Sequence, residues 1–97
     1  MDFERTEVKA PVKITRRLSD HLPQYEVDFT HPRSAVKDIV TFHMEEPTPN
    51  SGDLFTFFRD GEALDHAYTI NEADKRMHHA ARVYAFANAD GRPVVPL

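Results

Sequence analysis

The chain has 97 residues, 40% apolar and 29% charged, with seven Phe and three Tyr, enough for one hydrophobic core and ordinary globular composition. It has no cysteine, which excludes a disulfide framework, a thiolate zinc site and a cysteine nucleophile, and which fits a reducing cytoplasm. Its net charge of −4 divides unevenly: +2 over residues 1–17, −9 over 18–74, where twelve carboxylates meet only Arg33, Lys37 and Arg59, and +3 over 75–97.

Val8, Ala10, Val12 and Ile14 alternate with polar residues, the period of a strand with one buried face. Pro11 lacks an N–H, which favours an edge position. Ser19 to Pro23 reads as a loop. Tyr25, Val27 and Phe29 then alternate with Glu26, Asp28 and Thr30, the clearest strand signal in the chain. A turn is expected at 32–36. Val36, Ile39, Val40 and Met44 have the spacing of a helical stripe, but Asp38-Ile39-Val40-Thr41-Phe42 is rich in β-branched and aromatic residues, which favours a strand over about 37–44 with Val40, Phe42 and Met44 inward. Residues 45–52, with two Pro and a Gly, form a surface loop.

Asp60-Gly61 separates two strand-like runs, the signature of a two-residue hairpin turn. An unbroken register from that turn sets Arg59 opposite Glu62, Phe57 opposite Leu64 and Phe55 opposite His66. Phe55, Phe57, His66 and Tyr68 then share the covered face, while Leu54, Phe58, Ala63, Asp65 and Ala67 take the other. Asn71 reads as a helix N-cap, followed by a stripe of Ala73, Met77, Ala80, Ala81, Tyr84 and Ala87. Gly91 and Pro93 mark its end, and the short apolar tail over 92–97 either packs back onto the helix or is loosely packed. The expectation is one α+β domain over 1–97. It is an antiparallel β-meander of four to five strands with one C-terminal helix packed on one face.

Motifs for chemistry are scarce. The opening Met-Asp-Phe-Glu-Arg lacks the apolar stretch of a secretory signal, and no apolar run nears the ~18 residues of a membrane span. Six histidines are present, but none in His-x-x-x-His or His-Glu-x-x-His spacing, and the neighbours His78 and His79 diverge on a helix. No metal and no cofactor are expected. No nucleophile elbow or phosphate loop occurs, so no catalytic residue is assigned. Lys9, Lys13, Arg16 and Arg17 form a basic stripe without interleaved aromatics. Salt bridges to Glu26 or Asp28 on an adjacent strand account for it better than nucleic acid does.

The sheet face that one helix leaves open is the stronger lead. It should present Phe58, Leu54 and Ile39, rimmed by Asp28, Asp38, Asp65 and Glu26, and exposed apolar surface of this kind marks interaction sites. His66, expected near Tyr68, and Phe86, on the polar side of the helix, are secondary candidates. The leading expectation is a non-enzymatic protein-binding module, directed at a protein with a basic surface or at a second copy of itself. Neither direct nucleic-acid contact nor a membrane is expected. By analogy of class, such small acidic domains serve as inhibitors, immunity proteins or phage anti-defence proteins. The alternative is a homodimeric small-ligand-binding or small catalytic domain centred on His66 and tyrosines. A third reading has an exposed strand edge adding to a partner's sheet.

Overall fold

A computed structural model of the chain describes residues 5–9, 12–30, 37–47, 54–88 and 95–96. The elements are β1 (Arg5–Lys9), β2 (Val12–Ser19), β3 (Leu22–Thr30), β4 (Lys37–Glu45), β5 (Phe55–Arg59), β6 (Glu62–Ala67), α1 (Ile70–Asn88) and β7 (Val95–Pro96). The strands form one antiparallel sheet in the order β6-β5-β4-β3-β2-β1-β7. The helix packs across β2 to β6. This is the α+β meander with one C-terminal helix on one face that the alternation implies. The turn at 32–36, residues 48–52, the side chain of Phe29, Gly91 and all of the tail but Val95–Pro96 lie outside the described residues.

The N-terminal run supplies two strands where the sequence suggested one. Lys9 pairs with Val12, so the chain reverses between them. Ser19 to Pro23 is likewise more strand than loop. Ser19 pairs with Leu22 across Asp20 and His21, whose φ values are 51° and 68°. Asp and His tolerate this left-handed region better than most residues, so a two-residue turn suffices and both strands run up to it. Asp60 (φ 48°) and Gly61 (φ 88°) form the same kind of turn between β5 and β6. The Asp60 carboxylate also accepts the Thr41 N–H at 3.1 Å, which extends the β4–β5 ladder by one residue.

The core lies between one sheet face and the helix. Val12, Ile14, Tyr25, Val27, Val40, Phe42, Met44, Phe57 and Ala67 meet Ala73, Met77, Ala81 and Ala85. The four helical residues are spaced by four, and the three alanines among them let the axis approach the sheet. Ala85, not Ala87, completes the stripe; Ala87 is exposed because it stands about 200° around the helix from Ala85. The helix is also capped two residues earlier than Asn71. The Thr69 hydroxyl accepts the Glu72 N–H at 3.2 Å, with Ile70 as first helical residue.

Candidate functional site

A one-residue irregularity decides what the edge strand presents. Arg59 faces Glu62 and Phe58 faces Ala63, as the turn requires, but Phe57 then faces Asp65 rather than Leu64, and Phe55 faces Ala67 rather than His66. Leu64 is the extra residue of a bulge, and every side chain beyond it changes face. Ala67 is therefore buried in the core, and Asp65 reaches Arg76 on the helix at 3.5 Å. His66 pairs with Thr56 and is exposed on the helix-free side, across the sheet from the buried Tyr25. Both peptide groups of His66 are occupied. Its N–H donates to the Asp65 carboxylate at 2.8 Å, and its carbonyl accepts from the Arg76 guanidinium at 2.8 Å. Side chains thus occupy backbone groups that an added strand would need, which weighs against sheet extension along β6.

The helix-free face holds some of the expected cluster and disperses the rest. Phe58 pairs with His43 across β4–β5, and their rings stack at 5.0 Å and 10°. Phe58 and Leu54 are both partly buried. Ile39 is 59% exposed and faces Asp28. It stands four residues from His43 along β4, roughly 13 Å away, with Thr41 and the Asp60 turn between, so Ile39 and Phe58 are separate features. Asp38 and Asp65 are not part of this rim. Asp38 has the parity of Val40 and Phe42, and the bulge turns Asp65 to the helix side. Glu26, Asp28, Glu45 and Asp60 are the carboxylates that remain. Among the described side chains the cations of this face, Lys13 and Arg17, are both on β2; Lys13 faces Asp28, and Arg17 pairs with Glu26 at 3.3 Å.

On the covered face the sequence concealed a polar cluster. Arg16 on β2 donates to Asp74 on the helix at 2.8 and 3.4 Å, and the Tyr25 hydroxyl on β3 donates to the same carboxylate at 2.8 Å. His78, one turn further along, stacks on the Tyr25 ring at 5.0 Å and 9°. Burial, reinforced by the Asp74 charge and hydrogen bond, pushes the Tyr25 pKa well above the ordinary tyrosine range, with Arg16 opposing. Burial alone would lower the Arg16 pKa, but the Asp74 hydrogen bond and charge outweigh it and raise the value. This constellation fastens the helix across the sheet. Asp74 reads in sequence only as an acidic residue of the first turn; no local pattern announces partners on β2 and β3.

A groove runs between α1 and β6. It is open to solvent, offers about 500 Å³ and is lined by Phe57, Leu64, Asp65, Lys75, Arg76, His79 and Ala80. No hydroxyl or thiol nucleophile is among them. Further along the helix, Val83 (54% exposed) and Phe86 (44%) face solvent. Among the described residues no three His, Asp or Glu side chains gather in a way that could hold a metal ion, and no helix is long and apolar enough to cross a membrane. Comparison with known protein families, curated proteins and solved structures finds no match.

Proposed function

We propose that the chain is a protein-binding domain that docks a basic partner surface on the helix-free face of β3–β6. The observation that carries this reading is the sheet face that the helix leaves open. It presents the Phe58–His43 stack and the 59% exposed Ile39, with Glu26, Asp28, Glu45 and Asp60 around them. Apolar points set among like-signed charges suit a partner that offers lysines and arginines around its own apolar contacts. Arg17 pairs with Glu26, Lys13 stands opposite Asp28 and His43 lies 3.5 Å from Glu45, so a basic partner would share these carboxylates with the groups already beside them, and Asp60 adds a fourth. An inhibitor, an immunity protein or an anti-defence protein would use such a face on a nucleic-acid-handling enzyme; that step rests on class analogy.

The test is photo-crosslinking in the cells from which the chain comes, with a photoreactive residue at Ile39 or Thr56 and, for comparison, at Val83 on the helix. A discrete adduct from the sheet positions, mapped to a Lys/Arg-rich peptide of the partner, supports the proposal. Adducts from Val83 alone, or to an acidic segment, overturn it. Once the partner is in hand, Phe58→Ala should weaken binding by about tenfold or more at every salt concentration. Asp28→Asn with Glu45→Gln should slow association mainly at low salt.

A further inference from the structure

We infer that the groove between α1 and β6 binds a small amphiphile with an anionic head and an apolar body, of the class of medium-chain carboxylates. The site lies on the helix side of the sheet, away from the proposed protein-binding face, and stands or falls independently of it. Three observations carry the inference. The volume of about 500 Å³ falls within the roughly 300–1,000 Å³ of small-molecule sites. Its floor and one wall are apolar: Phe57 is buried beneath it, Leu64 remains 37% exposed, and Ala80 flanks them. The bulge creates that wall, because the extra residue leaves Leu64 beside Asp65 at the helix.

Charge selects the head group. Lys75, Arg76 and His79 all line the groove from one helix, against a single carboxylate, Asp65. Asp65 is held by Arg76 at 3.5 Å and by the His66 N–H at 2.8 Å, and Arg76 also pairs with Glu72 at 3.0 Å, so Asp65, Arg76 and Glu72 are engaged with one another. The Lys75 ammonium and a ring N–H of His79 are then the donors placed for an incoming carboxylate. A cationic or neutral head group would forgo that contact, and a purely polar anion would leave the Phe57–Leu64 wall wet. The matching ligand has both parts.

The test is titration of isotopically labelled protein by NMR with octanoate, 1-octanol and octyltrimethylammonium, each below its micelle concentration. Octanoate should shift the amides of Leu64, Lys75, His79 and Ala80 and bind about tenfold more tightly than the other two, the equivalent of one good charged contact. Lys75→Glu should erase the preference for octanoate, while Leu64→Asp, at a partly exposed position, should abolish binding of all three without loss of spectral dispersion. Equal affinity for the three head groups, shifts confined to other residues, or an unchanged preference in Lys75→Glu would overturn the inference. So would groove amides that shift with protein concentration alone, since a second copy would then be the occupant.

Discussion

The Tyr25 hydroxyl on β3 lies 2.8 Å from the Asp74 carboxylate on α1, and that oxygen is also 3.4 Å from Arg16 Nε. The pairing joins the middle of the sheet to the first half of its one helix. The Arg16 and Asp74 side chains keep only 16% and 21% of their exposure, so removing one partner leaves charge in a poorly hydrated place. Asp74→Ala should therefore cost about 2–4 kcal/mol, toward the value for breaking a buried pair, and Asp74→Asn less. Urea unfolding at neutral pH measures both. A cost below that of an ordinary surface pair would show that the cluster does not fasten the helix.

The same cluster makes an alkaline prediction. The folded-state pKa of Tyr25 is raised, so the unfolded chain releases its proton first. Stability is then fully present below the unfolded value near ~10 and falls as pH rises above it toward the folded value. Thermal unfolding followed from pH 8 to 11.5 should show a decline at the upper end that is shallower in Tyr25→Phe. The late component of the tyrosinate absorbance change should vanish in the same variant.

Turn chemistry gives opposite signs at two hairpins. Gly61 has φ 88° and open space around the position a Cβ would take, so Gly61→Val meets backbone strain alone and should destabilise by about 1–2 kcal/mol. His21 already holds φ 68° with a full side chain in solvent. His21→Gly should relieve it and stabilise by roughly 0.5–1 kcal/mol. Differential calorimetry of the two variants decides both.

At the sheet edge, Arg76 and Asp65 occupy the carbonyl and N–H of His66. Arg76→Ala combined with Asp65→Ala would free both groups on a strand that ends the sheet. The double variant should self-associate about tenfold more strongly than the native chain, through added strand pairing. Sedimentation velocity over a concentration series reads this directly, and an unchanged profile would mean that the bulge alone blocks the edge.

Where one physical rule decides the outcome, the sequence is readable. Alternation places Tyr25, Val27, Val40, Phe42 and Met44 inside, Asp60-Gly61 sets its turn, and the helix follows from the spacing of Ala73, Met77 and Ala81. Reading fails where a single residue shifts the count. Leu64 is an unremarkable apolar residue, yet its bulge moves Asp65, His66 and Ala67 to faces opposite those expected, and part of the candidate site moves with them. Alternation assumes an unbroken count along the strand, and nothing in the residue types around Leu64 marks the break. Thr69-Ile70-Asn71-Glu72, by contrast, is a legible capping pattern that the Asn71 reading passed over. The Asp74 cluster is non-local by nature, since its arginine is 58 residues away.

Because β1 to β6 are neighbours both along the chain and across the sheet, the order of assembly follows. Each hairpin closes a short loop, and loops of this size form within about microseconds. The β2–β3 and β5–β6 ribbons can therefore appear before any distant contact exists. Neither ribbon buries its apolar side alone; that requires α1, which is made after β6 and must return as far as Arg16. Docking of the helix thus closes a far longer loop than any hairpin does, and only the pairing of β7 with β1, Val8 with Val95, spans more of the chain. During synthesis on the ribosome, Val27, Phe42 and Phe57 would remain uncovered until residues 70–88 have emerged from the exit tunnel. A nascent chain halted before Ile70 is the form of this protein most exposed to chaperones and to aggregation.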